Sequence, residues 1–256
     1  MIYVCEYDDQ ADDRRLQERG RALLLPFSEE FPDGSERRRR KLRERILSRL
    51  LLDFALKREY GCSLTELDIV PGPGGKPESR LRPEIRFNLS HCDTACACMV
   101  GTCEAGIDVE RKFSYRENLA HRVCSAGEWS VFAKLEADAR REQLHFLWSL
   151  KESYVKWNGR GLAYGMQRID LSEYLPLVLQ PGESRILDGT GQKGRQEEAH
   201  RHGAGDSERT EVPGFWIRNE ETYTVAVCCR EIPVEAPYYI EEEKLLEAGG
   251  EEGTIV

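Results

Sequence analysis

The sequence predicts an α+β fold, and three observations carry that prediction. Short segments alternate apolar and polar residues as strands do: IYVCEY at the start, IRFNLSH (85–91), TACACMV (94–100) and TYTVAVCC (222–229). Between them, ERRRRKLRERILSRLLLDFALKREYG repeats its apolar residues at helical spacing. Helix and strand are interleaved in both halves of the chain, and the halves share a similar element order without any sequence repeat.

Taken in order, the first strand is followed by a helix over about Glu36 to Tyr60. Leu42, Ile46 and Leu50 recur every four residues, joined by Leu47, Leu51 and Phe54, which makes one apolar stripe. Its first turns carry Arg37 to Arg40, Lys41, Arg43, Arg45 and Arg49. Such a run reads either as a solvated face or as a phosphate-binding face. The glycines and prolines of PGPGGKP (71–77) predict a turn, and AGIDVE (105–110) reads as a further strand after IRFNLSH and TACACMV. Helices are predicted over 116–139 and 142–158, the first broken near Ser125, where SAGE has capping-box spacing. MQRIDLSEY, FWIRN and TYTVAVCC read as strands. The segment 180–211 is rich in Gly, Glu, Arg and Ser and predicts a long flexible insertion. Its two histidines, His200 and His202, carry no argument. The expected organisation is an N-terminal half over 1–105, a C-terminal half over 106–230, and an acidic, loosely held tail over 231–256.

With 256 residues, 40% hydrophobic and 32% charged, the composition is globular and excludes a collagen-like or wholly disordered chain. No apolar run approaches the roughly 20 residues of a membrane helix, and the N-terminus lacks the basic-then-apolar order of a signal peptide. The formal net charge of −9 speaks against nucleic acid as a partner. That charge is local: from Glu231 onward there are eight acidic side chains and one basic, and the remainder is close to neutral. Nine cysteines, an odd number without an export signal, point to reduced thiols and a cytoplasmic protein. Cys92, Cys96, Cys98 and Cys103 cluster after His91 but lack the paired spacing of a zinc site. They read as small apolar packing residues.

Three carboxylates stand out. Asp108 and Glu110 lie two apart in a strand, so both leave the same face. Glu152 shares a helical stripe with Trp148 and Lys156, at i, i+4 and i+8. One reading is a polar strand face and a Glu–Lys surface pair worth about 0.3–0.5 kcal/mol. The other is a carboxylate trio holding a hard divalent cation, with Lys156 beside it for a phosphate.

These segments also carry a resemblance. GKP (75–77), FNLSH (87–91), GIDVE (106–110) and FLWSLKESYVKWNGRGL (146–162) are similar, in letters, order and separation, to the 4′-phosphopantetheinyl transferases of the surfactin-activating type. The likeness runs from the first strand to about residue 230. It implies a monomer of two similar α+β halves related by a pseudo-twofold, with coenzyme A in the cleft between them. It implies transfer of the phosphopantetheine arm of coenzyme A to a serine of an acyl or peptidyl carrier protein, releasing adenosine 3′,5′-bisphosphate. Matched by position, Asp108, Glu110 and Glu152 would hold magnesium, or manganese in its place. Lys156 would face the pyrophosphate, and Lys76, Ser90, His91 and Lys151 would contact coenzyme A. Arg45 and Arg40 are the candidates for its 3′-phosphate. Upstream the sequence departs from the family pattern: expected lysines fall on Glu30 and Asp33, and an expected threonine on Ile46, so the Arg37–Lys41 run is the candidate to compensate. The same basic surface would guide an acidic carrier protein.

The residue types suit that chemistry. Attack of a serine hydroxyl on a pyrophosphate needs in-line positioning, neutralisation of phosphate charge and a base for the proton. Glu152 is the expected base and Glu110 the alternative. Lys156 is placed to stabilise charge on the departing bisphosphate. Two rivals remain: the short trimeric holo-acyl-carrier-protein synthase, for which the chain is too long, and a catalytically silent binding module, which the intact trio opposes.

Overall fold

The computed structural model describes residues 1–7, 12–25, 35–161, 164–188, 213–232 and 236–247. Strand β1 (Ile2–Glu6) leads through α1 (Asp13–Ala22) to α2 (Glu36–Tyr60). The stripe that predicts α2 is buried, with Ile46, Leu47 and Leu51 fully enclosed. The helix stops at Gly61, whose φ of 63° is a left-handed cap that glycine adopts at little cost. A small hairpin, β2 (Ile69–Pro71) and β3 (Pro77–Ser79), frames the PGPGGKP turn. Strands β4 (Arg86–His91), β5 (Ala95–Gly101) and β6 (Ala105–Arg111) follow where alternation places them.

The predicted helix over 116–139 divides into α3 (Glu117–Val123) and α4 (Ala126–Phe132), and α5 (Ala137–Asn158) starts earlier than expected. The break lies at Ser125, where the side chain accepts from Glu128 N and the Glu128 carboxylate accepts from Ser125 N. MQRIDLSEY is not a strand. Met166–Arg168 and Ser172–Tyr174 are two 3-10 turns: Gly165 enters the first at a φ of 85°, and Asp170 Oδ1 accepts from Ser172 N ahead of the second. The alternating apolar residues Met166, Ile169 and Leu171 are buried nonetheless, so burial rather than pairing explains the pattern. Within 180–211, β7 (Ser184–Leu187) pairs with β8 (Gly214–Asn219). Residues 189–212, His200 and His202 included, lie outside the described residues, as do Glu30 and Asp33.

Strands β8 and β9 (Tyr223–Cys229) complete a sheet of order β6-β9-β8-β7, opposite one of order β10-β1-β5-β4. In each, an initial strand and a long helix are followed by a hairpin whose second strand pairs antiparallel with the initial strand. Each strand splits its side chains between two faces. Ile2, Val4, Ala97 and Met99 meet Ile107, Val109, Val225 and Val227 in a core between the sheets. The opposite faces pack on α2 through Tyr3, Cys96 and Cys98, and on α5 through Ile217, Ala226 and Cys228. The layers are therefore α2, sheet, sheet, α5.

The tail is not loose over residues 236–247. Strand β10 (Tyr238–Glu241) pairs parallel with β1, and α6 (Glu242–Glu247) follows. Ile240, Leu245 and Leu246 are buried against the α2 core, each contributing about 1.5–3 kcal/mol. The acidic residues mask this apolar set in the sequence.

Candidate active site

Strand β6 supplies the carboxylates because its alternation leaves Gly106, Asp108 and Glu110 on the α5 side. Gly106 is required there: a Cβ would come within 2.0 Å of Ser153 O and 2.3 Å of Trp157 N. Its absence lets β6 lie against the helix that carries Trp148, Glu152 and Lys156. Strand β4 runs beside β6, joined by Ile107 N donating to Asn88 Oδ1 at 2.8 Å.

At this seam Lys156 Nζ donates to Asp108 Oδ1 and to Ser90 Oγ, both at 2.8 Å, and Ser90 Oγ donates to Asp108 Oδ1 at 3.1 Å. Four predicted residues thus fall at one place: Asp108 and Ser90 with Lys156, and Glu110 one step along the strand. Trp148 Nε1 donates to Glu110 Oε2 at 3.2 Å. Burial and then the Asp108 charge push the Glu110 carboxyl up to about 7, opposed by Trp148 and Lys156. Glu152 is raised by burial and then by Asp108, with Lys156 opposing. Asp108 Oδ2 is buried without a partner among the described residues.

These features fit a hard divalent cation. The donors are oxygens, the Glu110 and Glu152 carboxyls are both raised by burial and then by the Asp108 charge, and one buried oxygen lacks a donor. Among the described residues, no three acidic, His or Cys side chains close into a ligand cluster, and Asp108 is instead paired with Lys156.

Next to the seam lies a recess of about 440 Å³ between α2 and β4, lined by Lys41, Arg45, Arg49, Phe87, Leu89 and His91. It adjoins a second, of about 530 Å³, which shares Lys41, Glu44 and His91 and reaches Arg40, Glu110 and Arg116. The two recesses bring the basic helix start and the carboxylate strand to a common groove. His91 Nδ1 lies 3.2 Å from a Glu44 oxygen, and Arg40 Nε lies 3.9 Å from the other.

Lys76 is turned differently, donating to Glu104 Oε2 at 2.6 Å and Ala105 O at 2.9 Å. Its turn does approach the site: a Cβ on Gly74 would come within 1.6 Å of Gly159 O, so the GKP turn packs on the glycine that ends α5.

Lys151 corrects an expectation. Its ammonium is fully buried between α5 and α4, donating to Val123 O (2.7 Å), Glu128 Oε2 (2.5 Å) and Met166 O (3.1 Å). One residue from Glu152 is about 100° around a helix, so Lys151 points into the C-terminal core and away from the groove. Sequence reasoning passed over Asn88 and Glu44. An asparagine inside an otherwise apolar strand, and a lone acid between Arg43 and Arg45, were the available signals.

The sequence model of the 4′-phosphopantetheinyl transferase superfamily matches residues 104–228. The chain is 32% identical over 224 residues to the L-aminoadipate-semialdehyde dehydrogenase-phosphopantetheinyl transferase of Eremothecium gossypii, covering 83% of this chain and 77% of that relative. It is 27% identical to the 4′-phosphopantetheinyl transferase psf-1 of Bacillus pumilus, over 56% of this chain and 60% of the relative. With the transferase Sfp of Bacillus subtilis strain 168 the identity is 28%, over 46% and 53%. The chain thus spans little more than half the length of these bacillary relatives.

Proposed function

The chain belongs to the 4′-phosphopantetheinyl transferase superfamily, and on that premise we propose that it transfers the 4′-phosphopantetheine arm of coenzyme A to a serine of an apo acyl or peptidyl carrier protein. The observation that supports this reading most strongly is the groove in which the basic face of α2 meets Glu110, two residues along β6 from the Asp108–Lys156 pair.

In this reading the cationic α2 wall and apolar Phe87 and Leu89 hold the nucleotide end of coenzyme A, and the pyrophosphate lies toward Lys156. Asp108, Glu110 and Glu152 would hold magnesium or manganese, which would supply charge neutralisation for a bound pyrophosphate. Lys156, oriented by Ser90 and Asp108, stabilises charge on the departing adenosine 3′,5′-bisphosphate. Glu152, half-buried and raised in pKa, takes the proton of the carrier serine. The new bond joins the serine oxygen to phosphorus, and the bond that breaks is the pyrophosphate P–O bond on the bisphosphate side.

His91 and Arg45 line the recess and support its binding role. Arg40, Lys76 and the whole basic rim serve the same anionic ligand or the acidic carrier at longer range. Nine free thiols favour a cytoplasmic enzyme, and no helix among the described residues is long and apolar enough to cross a membrane. We read the chain as a monomer of two similar halves, 1–105 and 106–230, the tail strand docking on the first. The test is direct: incubate the protein with coenzyme A, magnesium and an apo carrier, and weigh the carrier. A gain of one phosphopantetheine is expected. No gain with several carriers, despite coenzyme A binding, would favour a silent binding module.

A further inference from the structure

Glu110 on β6, Thr224 on β9 and Asn219 on β8 are register partners in one row across the second sheet. Their side chains leave the α5 face, as Ile217 and Ala226 do two residues away. Helix α5 lies over this row with His145 and Ser149 one turn apart. Trp148 reaches Glu110, and His145 meets Phe113, three residues beyond Glu110. The segment 177–179 closes the far side, tied to α5 through Gln143 and to β8 through Asn219 Nδ2. His145, Ser149, Thr224 and Asn219 are all buried. Both ring nitrogens of His145, Ser149 Oγ, Thr224 Oγ1 and Asn219 Oδ1 have no hydrogen-bond partner among the described residues. Burial, and then the Lys112 charge, lowers the His145 imidazole to about 4, so the ring is neutral at physiological pH and needs one donor and one acceptor. Buried polar groups left unpaired are costly, and here they are concentrated at one place.

We propose that His145, Ser149, Thr224 and Asn219 enclose a buried site for ordered water, and that this water braces the Glu110 end of β6 from behind. The inference rests on the transferase reading only in taking Glu110 as a metal ligand. Water matches the chemistry of the site. The imidazole and the two hydroxyls each give and take a hydrogen bond, Asn219 Oδ1 only accepts, and a water molecule donates two and accepts two. Phe113 lines the 530 Å³ recess and packs edge-on against the imidazole, ring centroids 5.0 Å apart, which shields the water from the groove. Bonds that hold Thr224 and the His145–Ser149 stripe also hold the residue opposite Thr224, which is Glu110, and its donor Trp148. His145 and Thr224 are therefore positioning residues.

Urea unfolding of the full chain tests the water, using the parent protein, His145→Phe, Thr224→Val and the double variant. A dry site makes His145→Phe neutral or stabilising, because an unpaired imidazole gives way to an apolar ring. The water site makes each single variant less stable, with a coupling of roughly fivefold or more in the folding equilibrium constant although the two side chains share no direct bond. His145→Gln, which keeps a donor and an acceptor, should recover part of the loss. Ser149→Ala with Thr224→Val supplies the same cycle if His145→Phe does not fold. Equal or higher stability of His145→Phe, or additive effects in the double variant, overturns the water site. Titration with Mn²⁺, followed by the loss of its free-ion electron paramagnetic resonance signal, tests the brace: folded His145→Phe should bind the ion roughly tenfold more weakly than the parent. Unchanged affinity overturns the positioning role. A parent protein that binds no Mn²⁺ overturns the metal assignment and the brace with it, while the unfolding cycle decides the water site by itself.

Discussion

Lys156 Nζ sits 2.8 Å from Asp108 Oδ1, bridging the helix and the strand whose motifs lie 48 residues apart in sequence. Asp108 is buried and Lys156 about a quarter exposed, so the pair is neither a surface bridge nor a sealed one. Lys156→Met should cut turnover by roughly 100-fold or more, the scale for losing one charge-stabilising donor. Affinity for coenzyme A should change far less, because the α2 recess is untouched. Steady-state kinetics with a carrier substrate checks the split. A rise in KM with unchanged kcat would assign Lys156 to ground-state binding.

Glu110 should make the proposed metal site pH-dependent. Its carboxyl is raised to about 7 in the cation-free protein, so the stability linked to it is present below the unfolded value near 4.5 and is lost as pH rises through 7. Magnesium should restore that stability, since the ion binds the ionised form. The magnesium-induced rise in melting temperature should therefore be larger at pH 8 than at pH 6, and Glu110→Gln should flatten the difference. An equal shift at both pH values in the unsubstituted protein would contradict the assignment.

Lys151 is expected to matter for folding and not for coenzyme A. Burial lowers its pKa, with Glu128 opposing, and removing the ammonium leaves the fully buried Glu128 unpaired. Lys151→Met should cost about 3–5 kcal/mol, read as a lower denaturant midpoint. Coenzyme A affinity in the folded fraction should stay within about twofold of the parent protein, the scatter expected for a surface-distant change. Normal stability with lost coenzyme A binding would return Lys151 to the groove.

Truncation after residue 235 removes β10 and α6, and with them Ile240, Leu245 and Leu246 from the α2 core. A loss of about 4 kcal/mol or more is expected, along with exposure of β1 as a sheet edge. Tyr238 also stacks beside Tyr3 and Phe54 under Arg58, which the truncation would uncover. An unchanged melting temperature would show that the tail is dispensable.

What was legible in the sequence followed from local periodicity. Leu42, Ile46 and Leu50 define α2, and the Asp108/Glu110 alternation places both carboxylates on one face before any coordinate is known. Alternation alone misled at 166–174, where Gly165 and Asp170 turn the chain and apolar residues are buried without pairing. The direction of Lys151 depended on a partner, Glu128, that reaches it only after α4 packs on α5. The tail was misread because eight acids outweigh three buried apolar residues in any composition count.

In the proposed mechanism the carboxylates and Lys156 perform the transfer, separately from the recess that would bind coenzyme A. Mass measurement of an apo carrier after incubation with coenzyme A, magnesium and either the parent protein or Glu152→Gln tests it most directly, with coenzyme A binding measured alongside. One phosphopantetheine added by the parent protein is expected, with turnover lower by orders of magnitude in Glu152→Gln and near-parental coenzyme A affinity in that variant. Near-normal carrier loading by Glu152→Gln would contradict it.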